Sequence, residues 1–203
     1  MDQNDVEILE RRTAYQGYFR LDDYKLRHRL FSGGWSAPIS REVFERGHSV
    51  AVLPYDPAED SVIVIEQFRA GAFAAGIKPW LTECVAGIIG DGEQPEAVAR
   101  REAVEEIGRG LGRIEKIAHF IYTPGGSSEL CWLFVGEVDS RGAGGIHGLA
   151  EEHEDIAVRV IPADVAVGWL DSGTIDNAVM LIAISWLARH RRRLRREWSE
   201  TPR

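Results

Sequence analysis

Residues 87–109 read GIIGDGEQPEAVARREAVEEIGR, and the fold of the chain can be worked outward from them. Pro95 suits the first turn of a helix, where its missing N–H costs nothing. Ala97, Val98, Ala99, Ala103, Val104 and Ile107 recur at helical spacing and give an apolar stripe. Gly108 and Gly110 are stop signals. The spacing predicts a helix over about Pro95 to Ile107, preceded by a glycine-rich loop from Gly87 to Gly92.

On that helix Glu102 and Glu106 stand one turn apart on one face, and Glu105 flanks them. Like charges so placed repel by roughly 0.2–0.5 kcal/mol, and acidic groups near a helix C-terminus oppose the macrodipole. A solvated acidic face is the bland explanation. A divalent cation reverses the sign of both costs, because hard cations take carboxylate oxygens. Arg101 lies one turn before Glu105 and can pair with it, leaving Glu102 and Glu106 for metal.

Order matters here as much as composition. Gly87, Glu93, Arg101, Glu102, Glu105, Glu106 and Gly108 fall in register with the Nudix box, G-x5-E-x7-R-E-U-x-E-E-x-G-U with U aliphatic, so the segment resembles that family. Ala103 is small for the first U, and Arg109 is not aliphatic at the last; both are packing positions.

The chain has 203 residues, 44% apolar and 28% charged, with net charge −8. That is enough for one domain with a sizeable core and a small accessory unit. The negative balance argues against a general nucleic-acid binder. Cys84 and Cys131 have no metal spacing and sit in apolar sequence, as buried free thiols do. The start, MDQNDVEILE, has no apolar core and does not read as a signal peptide. The run from Ala178 to Ala188 is too short to span a bilayer. A cytoplasmic protein is expected.

Residues 1–47 differ in character from the rest. Tyr18 to Phe31 is strand-like, FSGGW (31–35) is a turn, and Ile39 to Arg46 returns as a second strand. A hairpin of this size cannot bury a core alone and must pack on the main domain or on another subunit. In 48–203, strands are expected at Val50–Leu53, Val62–Phe68, Trp80–Ala86, Ile114–Ile121, Leu130–Val138 and Ile156–Ile161. Gly71–Gly76 reads as small and flexible. Tyr122–Glu129 is a tight polar loop, and 139–155 is a long glycine-rich, then acidic, segment. Helices are expected at Pro162–Leu170 and from Asp176 to about Trp198, the latter with an apolar face including Val179, Ile182 and Trp186. The arginines of 189–196 read as a solvated face favoured by the dipole. Strands with helices on either side suggest an α/β/α sandwich around a mixed sheet, plus a small N-terminal β-rich unit.

Over nearly its whole length, its basic β-rich N-terminal extension included, the chain resembles the bacterial ADP-ribose pyrophosphatases. The segments that carry this are AGIIGDGE (86–93), TPGGSSE (123–129), GIHGLAEEHED (145–155) and IDNA (175–178), with Pro124 sixteen residues after Gly108. The resemblance implies hydrolysis of ADP-ribose with Mg²⁺, Mn²⁺ being possible. It implies that the Ala86 carbonyl and the carboxylates of Glu102, Glu106 and Glu154 hold the metal. Glu152 would be the catalytic base, with Arg101 and Glu105 completing the catalytic set. Arg69, Glu129 and Pro124 would meet the substrate from the same subunit. Tyr18 and Arg41 would reach the adenine from the partner of a homodimer with exchanged N-terminal units. Two other readings are a hydrolase of another nucleoside diphosphate sugar, such as GDP-mannose, and a non-catalytic Nudix-fold sensor. The intact glutamates and the lack of a helix-turn-helix signal disfavour the sensor.

Overall fold

A computed structural model of the chain describes residues 1–149, 151 and 153–199. It forms two compact units: residues 1–48 with 120–130, and 49–119 with the described residues from 131 onward.

The first unit is built on an antiparallel sheet of β1 (Val6–Gln16), β2 (Arg20–His28) and β3 (Ile39–Glu45), in that order. Three strands cannot bury much apolar surface, and a charged staple serves instead. Asp22 on β2 is buried and accepts from Arg11 Nε and Nη2 (3.1 and 2.6 Å) and Thr13 Oγ1 (3.0 Å) across the β1–β2 pair. The loop over 122–129 joins this unit through backbone: Phe44 N–H donates to the Gly126 carbonyl (2.8 Å). β1 is a strand that the alternation pattern did not predict. Its sequence, VEILERRTAYQ, mixes charge and apolar residues, and its pairing slips at Ile8/Glu10 and Thr13/Tyr15. Such bulges break the two-residue period.

The second unit centres on a mixed sheet. The strands are β4 (His48–Asp56), β5 (Ser61–Phe68), β6 (Trp80–Glu83), β7 (Val85–Ile89), β8 (Ile114–Ile121), β9 (Leu130–Glu137), β10 (Gly145–His147) and β11 (Ile156–Pro162). The order is β10-β11-β5-β4-β9-β8; β6 pairs with β5, and β7 with β4. β4 and β9 are parallel, whereas β11–β5, β4–β5 and β5–β6 are antiparallel. β4 meets β5 at Tyr55–Val62 and Asp56–Ser61, next to the turn, and β6 takes up β5 from Ile65 to Phe68. The helices are α1 (Ala70–Ala74), α2 (Pro95–Ile107), α3 (Ala163–Ser172) and α4 (Ala178–Ser199).

Alternation along the strands divides the core. Val50, Val52, Ile63, Ile65, Ile156 and Val158 pack with Val98, Ala99, Ala103 and Ile107 of α2 on one face. The opposite positions of the same strands, such as Leu53, Val62 and Val64, are equally buried, and α3 and α4 lie against that side. This is the expected α/β/α sandwich. Its bounds for α2 coincide with those read from Pro95 and Gly108, and Gly108 closes the helix at φ 62°. Two details differ. Gly71–Gly76 is largely taken up by α1, and α4 buries Met180, Ala183, Ile184 and Leu187, leaving Val179, Ile182 and Trp186 half-buried. The α4 arginines are also more than a solvated face. Arg191 Nε (2.6 Å) and Arg195 Nη1 (2.9 Å) bond Asp60 in the β4–β5 turn, and Arg193 holds Glu115 (2.7 Å). No helix among the described residues is long and apolar enough to cross a membrane.

Candidate active site

β7 runs directly into the box loop, and this sets the site's geometry. Glu93 closes the loop by accepting from the Gly90 N–H (2.7 Å). Gln94 caps α2 in extended conformation, and Pro95 starts the helix. Of the apolar stripe of α2, Val98, Ala99, Ala103 and Ile107 are buried against the sheet while Ala97 and Val104 are exposed, and this orientation turns Glu106 inward. It is only 2% exposed, and its Oε2 accepts from the Ala86 N–H at 3.0 Å. Glu102, one turn earlier, lies over the backbone just after Ala86: a Cβ placed on Gly87 would fall 1.9 Å from Glu102 Oε1. A side chain there would push the Glu102 carboxylate out of the space it occupies.

The electrostatics are those of an acidic pocket short of positive charge. Burial pushes the Glu106 carboxyl up to about 8. The Ala86 N–H opposes that push, the charges of Glu102 and Glu154 add to it, and Arg69 offsets part of it. Arg69, at the end of β5, donates from Nε and Nη2 to Glu83 Oε2 (2.9 and 2.7 Å). Glu83 has no place in the sequence expectations. Its register opposite Ile65 could have put it on the α2 face, had the β5–β6 pairing been known.

Arg101 behaves differently from the expectation. It donates to Glu105 Oε2 (2.8 Å) as proposed, but its Nη2 also lies 3.0 Å from Glu102 Oε1, and its Nε lies 4.0 Å from Glu93. One guanidinium thus gathers three box glutamates, Glu102 among them. Glu154 Oε2 accepts from the Leu149 N–H (3.2 Å). With these two carboxylates so engaged, no three Asp, Glu, His or Cys side chains among the described residues converge closely enough to hold an ion as they stand. The donor set nevertheless fits a hard divalent cation. It consists of carboxylates, one of them buried with its charge opposed by its neighbours, which is the imbalance a cation removes. Glu152 lies outside the described residues.

Tyr18, Arg41, Pro124 and Glu129 belong to the first unit. Tyr18 is 87% exposed, with its ring edge-on to Phe19 (4.8 Å). Arg41 is exposed, and its Nη1 donates to the neighbouring Ser40 carbonyl (2.7 Å). Pro124 is in the polar loop, where Gly126 and Ser127 N–H groups donate to the Thr123 carbonyl. Glu129 is buried and paired with Arg46 (3.3 Å), which lies over the Phe19 ring. Arg46 was missed because nothing in its local sequence marks it. Arg109, the non-aliphatic box position, reaches outward to the Arg141 carbonyl (2.9 Å) and fastens the following loop.

Fold and box together define a Nudix protein, and the NUDIX domain model matches residues 45–182: the chain belongs to the Nudix family, whose hydrolases generally use divalent metal ions. Among its relatives, the ADP-ribose pyrophosphatase of Escherichia coli K12 is 50% identical over 197 residues, 97% of this chain and 94% of that one. A GDP-mannose pyrophosphatase from an Enterobacter species is 32% identical over 186 residues, covering 90% and 94%. A solved structure titled as an ADP compounds hydrolase superposes with a TM-score of 0.69 at 18% identity, covering 92% of this chain and 96% of that one.

Proposed function

We propose that the chain hydrolyses ADP-ribose and related ADP-sugars to AMP and ribose 5-phosphate, with Mg²⁺ as cofactor. The observation that carries this is the 50% identity to an ADP-ribose pyrophosphatase across nearly the whole chain, well past the box, against 32% to a GDP-mannose pyrophosphatase.

In this reading Glu102, Glu106, Glu154 and the Ala86 carbonyl hold the cation. When bound, a divalent cation screens the diphosphate and lowers the pKa of water. To hold it, Glu102 and Glu154 would exchange their contacts with Arg101 and the Leu149 N–H for the cation. Arg101 keeps Glu105 and orders the helix end. Arg69, held in plane by Glu83, presents positive charge to the substrate, and Glu129 and Pro124 meet its other parts. Glu152 takes the proton of the attacking water. The water oxygen bonds to one phosphorus as the bridging phosphorus–oxygen bond breaks, and the bridging oxygen leaves on the other phosphate. Positioning and charge stabilisation do most of the work in such transfers.

The active unit in this proposal is a homodimer whose N-terminal units, residues 1–47, are exchanged. Tyr18 and Arg41 then reach the partner's adenine, where a ring and a planar guanidinium can stack on it. The bare β1, with Val6, Ile8, Leu9 and Tyr15 exposed, supports the idea that another chain covers it. Cys84 and Cys131 are buried and form no disulfide, which accords with a cytoplasmic setting.

The deciding experiment incubates the protein with ADP-ribose or GDP-mannose, in Mg²⁺ or in excess chelator, and identifies the products. AMP and ribose 5-phosphate should form from ADP-ribose in Mg²⁺ and not in chelator. Higher catalytic efficiency on GDP-mannose, or full activity in chelator, would overturn the proposal. For the shared site, mixing Glu106→Gln and Arg41→Ala under subunit exchange should restore activity. A mixed dimer has one site with neither defect, so no recovery despite proven exchange rules the shared site out.

A further inference from the structure

β5 carries two buried polar side chains that the cation reading does not use: Ser61, whose hydroxyl bonds that of Ser140, and Gln67. Ile63, Ile65 and Gln67 alternate onto one face, and the two isoleucines sit in the core beneath α2. Gln67, opposite Leu81 of β6, is 7% exposed, and its Nε2 is buried with no hydrogen-bond partner among the described residues. Leaving a buried donor unmade is costly, and such a group calls for an explanation.

The surroundings of Gln67 suggest one. Arg69, two residues on and on the same face, bonds Glu83, and its charge interacts with those of Glu106 and Glu154. On the other side β11 pairs with β5 in the register Ala157–Glu66. That register carries Ile156, the first residue of β11, to the Gln67 end of β5, and Glu154 stands two residues before it, close enough for its charge to act on both Arg69 and Glu106. Glu154 now accepts from the Leu149 N–H at 3.2 Å.

We propose that Gln67 is a positioning residue of the cation site. Once a divalent cation draws the Glu154 carboxylate round, Gln67 Nε2–H donates to the Glu154 oxygen that the cation does not take. The donor is unpartnered without the cation because its acceptor has not yet turned. This rests on the cation reading above. Partners that orient a ligand carboxylate typically change metal affinity by about 10–100-fold.

The test uses the full-length protein with Mn²⁺ alone as the probe, measuring the Mn²⁺ dissociation constant by calorimetry and thermal unfolding in Mn²⁺ and in chelator. Gln67→Met keeps the bulk and removes the amide. In chelator it should melt at or above the wild type, since an unmade donor is gone, yet bind Mn²⁺ about tenfold more weakly. In a Glu154→Gln background the same change should cost less than about twofold, because the acceptor it served is altered. Gln67→Leu carries the same expectations and stands in if the Met variant does not fold. Unchanged Mn²⁺ affinity, an undiminished penalty beside Glu154→Gln, or marked destabilisation in chelator would each overturn the inference alone. A wild type that Mn²⁺ neither binds nor stabilises would overturn the cation reading and this inference with it.

Discussion

Glu106 and Asp56 are both buried carboxylates of the second unit, and they are treated in opposite ways. Asp56, at the end of β4, is 0% exposed. Its Oδ1 accepts from the N–H groups of Ala58 and Glu59 (2.9 and 3.1 Å), and its Oδ2 from the N–H and Oγ of Ser140 (2.8 and 2.9 Å). Burial pushes its carboxyl up, but these hydrogen bonds outweigh burial and hold it below its usual 3.8. Glu106 has the Ala86 N–H and two like charges, and its carboxyl rises to about 8. A buried charge that the protein satisfies fastens turns together. A buried charge left unsatisfied among its own kind is held for something the fold does not supply.

The largest expected effect breaks the functional side of this contrast. Glu106→Gln keeps the shape and removes the charge. Turnover should fall by about three orders of magnitude, since cation binding and charge stabilisation fail together. Melting in chelator should not fall, because a neutral amide suits that burial better. Steady-state kinetics and thermal unfolding read the two halves separately. A loss of turnover under tenfold would mean that the site is elsewhere.

Gly87→Ala probes the same side more gently. The added methyl would meet the end of the Glu102 side chain. That group can swing away at little cost in stability, but it then leaves its place beside Ala86. Turnover should drop by about 10–100-fold from this small misplacement, with the melting temperature nearly unchanged. A large fall in melting temperature with normal turnover would show that Gly87 serves the fold and not the carboxylate.

The contrast also explains what could be read from the sequence. The helix of the box was legible to the residue because Pro95 and Gly108 fix its ends by covalent geometry, and a fixed spacing of glutamates has few other uses. The sandwich followed from apolar runs in β4, β5, β9 and β11. What escaped depends on partners distant in sequence. Glu83 matters because β6 pairs with β5, Arg46 because it meets Glu129, and Asp56 because it meets Ser140. None has a local period. α4 was read one residue out of phase because Val179, Ile182 and Trp186 also keep helical spacing, so the sequence offers two adjacent apolar stripes and only packing selects Met180, Ala183, Ile184 and Leu187. β1 was lost to its two bulges.

The structural side of the contrast is broken by Asp56→Asn. The amide sets an N–H₂ group against two donors, so a satisfied network becomes a half-satisfied one. The cost should be about 3 kcal/mol, or very roughly 10 °C in melting temperature for a unit of this size. Turnover per folded molecule should stay within about twofold of wild type, because the residue shares no partner with the site. A fall in turnover that tracks the variant at temperatures where it is fully folded would couple the β4–β5 turn to the chemistry and blur the distinction between the two carboxylates.

The smallest expected effect is a change with pH in the gap between that variant and the wild type. A carboxyl whose pKa is depressed by folding adds stability that is fully present above its unfolded value and is lost as pH falls through its folded one. For Asp56 the upper edge of that window is near its usual 3.8. Asp56→Asn has no such group, while Asp60, also depressed by its arginines after burial is overcome, is present in both proteins and cancels in the difference. Unfolding free energies from urea titrations should therefore differ by a constant amount at neutral pH, with the gap narrowing below about pH 4 as the wild type alone gives up the ionised Asp56. A gap of the same size at pH 3 and pH 7 would mean that Asp56 is not held ionised by its four donors, and that its buried network is an ordinary set of neutral hydrogen bonds.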